Sequence, residues 1–117
     1  MAYASGRTFL DADSHIMELP DFLKGNADPG IRDRIPEIPF EAGGEGTTDW
    51  QLAAQLGAHP PERVAELIEM GDNLIAGPKG YGALGAFNAA ERTVALDQLG
   101  FDCQFVFASF SPGIVFD

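Results

Sequence analysis

Thr8-Phe-Leu-Asp-Ala-Asp-Ser-His-Ile-Met-Glu18 is the stretch that decides the fold. Its opening residues, Thr8 to Asp13, read as a β-strand. Side chains alternate along a strand, which puts Phe9, Asp11, Asp13 and then His15 on one side, with Thr8, Leu10 and Ala12 on the other. Same-face positions lie about 6.6 Å apart at a rise of about 3.3 Å per residue, so neighbouring side chains can lean toward one ion. Carboxylate oxygen and imidazole nitrogen both bind Zn²⁺ at about 2.0–2.2 Å. Asp13 and His15 are therefore candidate metal ligands. The competing reading is a solvated strand end, with Ser14 capping whatever follows.

The second strand lies far downstream. Cys103-Gln-Phe-Val-Phe-Ala108 is apolar on both sides and nearly uncharged, the pattern of a parallel strand buried on both faces. That reading makes Cys103 a buried structural thiol and Phe105, Phe107, Phe110 and Phe116 core residues. A helix over Ala89–Leu99 leads into this strand. Asn88 caps it, with Glu91 three residues on as in a capping box, and Gly100 stops it. The two strands are expected to pair in parallel through this helix. Parallel α/β architectures place their sites at the C-terminal edge of the sheet, where the first strand carries Asp13 and His15.

Between the strands lies an insertion over residues 19–87. Residues 25–46 hold Pro29, Gly30, Pro36, Pro39, Gly43, Gly44 and Gly46, and regular structure does not run through such breakers. Ile31, Ile35, Ile38 and Phe40 are apolar enough to pin this loop down. Thr48 or Asp49 caps a helix over Trp50–Leu56 closed by Gly57, and Pro60-Pro61 opens another over Glu62–Met70 closed by Gly71. Val64, Leu67 and Ile68 form its apolar face. Glu62-Arg63 and Glu91-Arg92 each precede a helix-stopping glycine by nine residues; two amphipathic helices of equal length account for this echo without a duplication. His59, ahead of the proline pair, reads as a loop residue.

The chain has 117 residues, 7 basic against 18 acidic, and a formal net charge of −11. A phosphate-binding surface needs clustered Lys and Arg, so nucleic acid and anionic membranes are excluded as expected partners. No apolar run approaches the roughly 20 residues of a membrane span. A single cysteine and an N-terminus without a signal-peptide stretch point to a cytoplasmic protein. At 45% apolar residues the chain can build a core, and one domain, or part of one, is expected.

Phe9-Leu-Asp-Ala-Asp-Ser-His-Ile-Met-Glu18, with Pro20 beyond it, resembles the first strand of the amidohydrolase-related (amidohydrolase 2) metal-dependent hydrolases, the group of aminocarboxymuconate-semialdehyde decarboxylase. Glu91-Arg-Thr-Val-Ala-Leu-Asp-Gln-Leu-Gly-Phe-Asp-Cys-Gln-Phe-Val-Phe107 resembles that family's first helix and second strand. The resemblance implies an α/β fold: the N-terminal fragment of a (β/α)₈ TIM-type barrel, a single partial domain with two parallel strands, a long insertion and about three helices. It implies a divalent metal, zinc first with manganese as the alternative, held at Asp13 and His15, where family members often carry His-x-His. Asp in the first place departs from that pattern. Glu18 matches a recurring acid, read as a partner that orients His15. The implied activity is hydrolysis of a C–N or C–O bond, or non-oxidative decarboxylation, of a small-molecule substrate. A barrel takes about 250 residues, so this chain alone is expected to be inactive, to bind metal weakly and to self-associate. The alternative is a non-catalytic chain or interaction module that needs another polypeptide to complete the barrel.

Overall fold

The computed structural model describes residues 2–38 and 56–115. Among these, β1 (Leu10–Ile16) is followed by α1 (Phe22–Gly25), a 3-10 turn at Arg32–Arg34, α2 (Pro61–Glu69), 3-10 turns at Gly71–Ala76 and Gly80–Gly82, α3 (Ala89–Leu99), β2 (Cys103–Ala108) and α4 (Ser111–Val115). The expected helix over residues 50–56 falls outside the described residues except for Leu56, and Phe40 and Phe116 fall outside them entirely. No helix among the described residues is long and apolar enough to cross a membrane.

The architecture is mixed α/β, and β1 and β2 pair in parallel as expected. β1 begins and ends later than the expected Thr8–Asp13, so His15 lies inside the strand. Its entry is set by a reciprocal pair: Phe9 N–H donates to the Asp102 carboxylate at 2.9 Å, and Asp102 N–H donates to the Phe9 carbonyl at 2.9 Å. This clamp starts both strands at one level.

α2 starts on Pro61, whose missing N–H costs nothing in a first turn. α3 starts where Asn88 Oδ1 accepts the Glu91 N–H at 3.0 Å. It ends at Gly100, which is left-handed at φ 79°. A Cβ there would overlap the Ala4 carbonyl oxygen, because Ala4 N–H bonds the Leu99 carbonyl at 2.7 Å and brings the N-terminal segment against the helix end. Leu67, Leu74 and Leu84 form the main apolar cluster, with Val64, Met70, Ala95 and Leu99 packed on it. The core therefore sits between α2, α3 and the 71–84 segment, not between the strands. Ile38 pins the insertion: it is 1% exposed and its N–H bonds the Pro20 carbonyl. Ile31 does not share that role and stays exposed.

The expectation that β2 is buried on both faces is not met. Phe105 is 65% exposed, Phe107 is 42% exposed and Cys103 is also exposed. The reason is geometric. Arg92 of α3 reaches one face through Ser14 and Gln104, where Val106 still stays 42% exposed, and the described residues provide no layer for the other. Cys103 and both phenylalanines stand on that bare face and Cys103 is not a buried thiol.

Candidate metal site and its polar support

The alternation read from the sequence breaks at one point. Asp11 pairs with Gln104 and Ser14 with Val106, so three steps along β1 match two along β2. This is a β-bulge, and an extra residue reverses the facing of everything beyond it. Asp11, Ser14 and Ile16 consequently share the α3 side with Gln104, and all are half-buried. Asp13 and His15 fall on the bare side with Phe105 and Phe107. Grouping Asp11 with Asp13 and His15 on one face is thus corrected: the bulge separates them.

Asp13 and His15 do meet. Asp13 Oδ1 lies 3.4 Å from His15 Nε2, with the two side chains 88% and 52% exposed. The imidazole leans on Phe107, ring centroids 5.8 Å apart. A tetrahedral ion with bonds of about 2.1 Å has donor atoms about 3.4 Å apart along each edge. The pair is spaced as two donors on one Zn²⁺ edge, and its O,N chemistry suits zinc or manganese. Among the described residues no cluster of three potential metal-binding side chains occurs. A cleft of about 340 Å³ lies between β1 and the 74–86 segment; Asp13, His15, Lys79 and Arg92 line it.

Behind the pair, on the covered face, Arg92 spans several elements. Its Nε donates to Gly85 O at 2.9 Å, its Nη1 to Ser14 Oγ at 2.9 Å and Gln104 Oε1 at 3.0 Å, and its Nη2 to His15 O at 2.6 Å. Gln104 Nε2 passes the contact on to Asp11 Oδ2 at 3.1 Å. Burial pulls the guanidinium below its ordinary value, opposed by the charge of Asp11. The loop at residue 85 approaches α3 this closely because residue 85 is glycine: a Cβ there would collide with the Arg92 backbone.

Glu18 does not orient His15. Its carboxylate turns to the loop after β2, where it accepts N–H bonds from Ser109, Phe110 and Ser111 at 2.9–3.2 Å and the Ser111 hydroxyl at 2.8 Å. The side chain is 1% exposed. Burial raises its carboxyl, but the Ser111 and Ser109 hydrogen bonds outweigh that and the group lies below its ordinary value. Its role is to tie the segment after β1 to the segment after β2. Nearby, the Tyr81 hydroxyl donates to Glu18 O at 2.7 Å, and burial together with the Glu18 charge pushes the phenol up to about 12.

A second polar centre, with no counterpart in the sequence pattern, lies at His59. His59 occupies a loop, as read, yet is buried. Glu91 Oε1 accepts the His59 N–H at 2.8 Å, and Glu91 Oε2 sits 2.7 Å from His59 Nδ1. His59 Nε2 sits 2.6 Å from Tyr81 O. Both ring nitrogens face oxygens. Glu91 therefore does not complete the capping box: its carboxylate leaves Asn88 and serves the insertion instead. Only the residue types, a His before Pro-Pro and an acid at a helix start, were available as signals, and neither pairs them.

No family model matches this chain, and no match was found among curated proteins or solved structures.

Proposed function

We propose that this chain is the first portion of a metal-dependent amidohydrolase-type enzyme, a (β/α)₈ barrel in which Asp13 and His15 are the ligands contributed by the first strand. The observation that carries the reading is the pair itself. A carboxylate and an imidazole sit at the spacing of a tetrahedral edge, on the uncovered face of a parallel strand near its C-terminal end. Asp13 and His15 would hold a divalent ion there, which would supply Lewis-acid polarisation of a carbonyl or of a water. Asp13 would offer a carboxylate oxygen and His15 a ring nitrogen to that ion. Phe107 shields one side of the imidazole. The reaction class is C–N or C–O hydrolysis, or non-oxidative decarboxylation, of a small molecule. Catalytic zinc usually has three protein ligands and a water, so the reading requires at least one protein donor besides Asp13 and His15.

Manganese titration followed by ¹H–¹⁵N NMR tests the reading. Paramagnetic broadening centred on residues 13, 15 and 107, at weak affinity and lost in Asp13→Ala and His15→Ala, is expected. Broadening spread evenly over exposed acids such as Glu62 and Glu69 would remove the site. A submicromolar 1:1 zinc site by calorimetry would instead mean that this chain builds a complete centre, for example across a homo-oligomer.

One observation favours a second reading, a non-catalytic module that pairs with another polypeptide: Leu10, Phe105 and Phe107 leave a bare apolar face beside the pair. Metal-independent association with no broadening at residues 13 and 15 would select it.

A further inference from the structure

The geometry points to Arg92 as the positioning residue for Asp13 and His15, acting by holding the β1 bulge that turns both side chains to the bare face. Its importance for the metal rests on the reading above; its hold on the bulge does not.

A strand that pairs without interruption keeps one alternation throughout. In β1 the alternation is broken between Asp11 and Ser14, and it is the extra residue that separates Asp13 and His15 from Asp11. Without the bulge, a one-residue slip of register beyond Asp11 would turn His15 toward α3 and Ser14 outward. Something must fix the bulge, and ladder hydrogen bonds are weakest there.

Arg92 grips it from both ends. Gln104 is the residue opposite Asp11, before the bulge, and Arg92 Nη1 bonds its Oε1. Ser14 and His15 are the first paired residues after it, and Arg92 bonds the Ser14 hydroxyl and the His15 carbonyl. One rigid guanidinium thus spans the irregularity. Its remaining bond, from Nε to Gly85 O, anchors the fork to the loop before α3. Arginine suits this task because its donors are fixed in a plane; a lysine ammonium can replace one or two of these contacts but not the whole fork. Asp11, reached through Gln104, balances the charge.

Three variants test the inference: Arg92→Gln, Arg92→Lys and, as a control on the same helix, Gln98→Ala, which removes bonds to Leu67 O and Gly71 O on the far side of the fold. The first readout is metal-free. Cross-strand nuclear Overhauser contacts between residues 14 and 106 and between 15 and 107 should vanish in Arg92→Gln, while those between 10 and 103 persist. Arg92→Lys should keep the 14–106 contacts and weaken the 15–107 contacts, and Gln98→Ala should keep all of them. The second readout is manganese broadening at His15, whose apparent affinity should fall about 10–100-fold in Arg92→Gln and stay unchanged in Gln98→Ala. Intact 15–107 contacts in Arg92→Gln overturn the inference, as does equal loss of contacts in the control. If Arg92→Gln fails to fold, Arg92→Lys decides alone by whether the two ends of β1 respond differently. If the wild-type chain shows no broadening at His15, the metal reading fails while the strand contacts still judge the role of Arg92.

Discussion

α2 and α3 carry the same local sequence, Glu-Arg placed nine residues before a glycine, and use it in opposite ways. Glu62 is exposed and Arg63 pairs with Glu66 at 2.9 Å on the helix surface. Glu91 is buried against His59, and Arg92 holds β1, Gln104 and Gly85. The glycines differ as well. Gly71 and Gly100 are both left-handed, at φ 54° and 79°, but a Cβ on Gly71 meets nothing within 4 Å while one on Gly100 meets the Ala4 backbone. Neighbours distant in sequence, not the helix itself, assign the roles: α2 turns its Glu-Arg pair to solvent while burying Leu67, and α3 turns its pair toward the insertion and the sheet.

Matched substitutions break this comparison most sharply at the acids. Glu91→Ala should cost about 3–5 kcal/mol, because it strands the His59 ring and two backbone N–H groups in the interior. Glu62→Ala should stay within about 0.5 kcal/mol. Chemical denaturation of both variants checks the contrast. The glycines come next. Left-handed backbone costs an alanine about 1–2 kcal/mol, which is the whole penalty expected at Gly71. At Gly100 overpacking adds about 1–3 kcal/mol, so the difference in melting temperature between the two alanine variants isolates the Ala4 contact.

A third test contrasts carboxylates by pH. The folded-state value of Glu18 lies below its ordinary one, so its stabilisation is present at neutral pH and disappears as pH falls through the carboxylate range. Glu18→Gln should lose about 1–3 kcal/mol at pH 7 and flatten the acid limb of the stability profile; an unchanged limb would mean that another carboxylate governs it. The smallest stability effect is expected on the bare sheet face. Phe105→Ser should move stability by no more than about 0.5 kcal/mol while reducing association in sedimentation velocity, because Phe105 is 65% exposed.

Much of the fold was legible from local signals. Pro61, the Asn88 cap and the glycine stops bounded α2 and α3 to within a residue, since caps and stops act within one helical turn. The apolar Cys103–Ala108 run located β2 and, through the connecting helix, its parallel pairing. Its burial was misread because an apolar run states what a strand can bury, not what lies against it. The proximity of Asp13 and His15 followed from the period of two. Asp11 was misplaced because a bulge is a property of two strands together, fixed here by Arg92 from a third element. Glu18 was assigned to its sequence neighbour His15, yet bonds residues 109–111.

By itself, then, the sequence determined the elements, their ends and the side-by-side placement of one carboxylate and one imidazole, because periodicity, capping and backbone freedom are local. Tertiary structure decided which face of β1 that pair occupies, which of two identical Glu-Arg dipeptides is buried, and where His59 goes. Each depends on hydrogen bonds between residues 30 to 90 positions apart, such as Arg92 to Ser14 and His59 to Glu91, and a buried polar group must find an acceptor or donor wherever the fold supplies one.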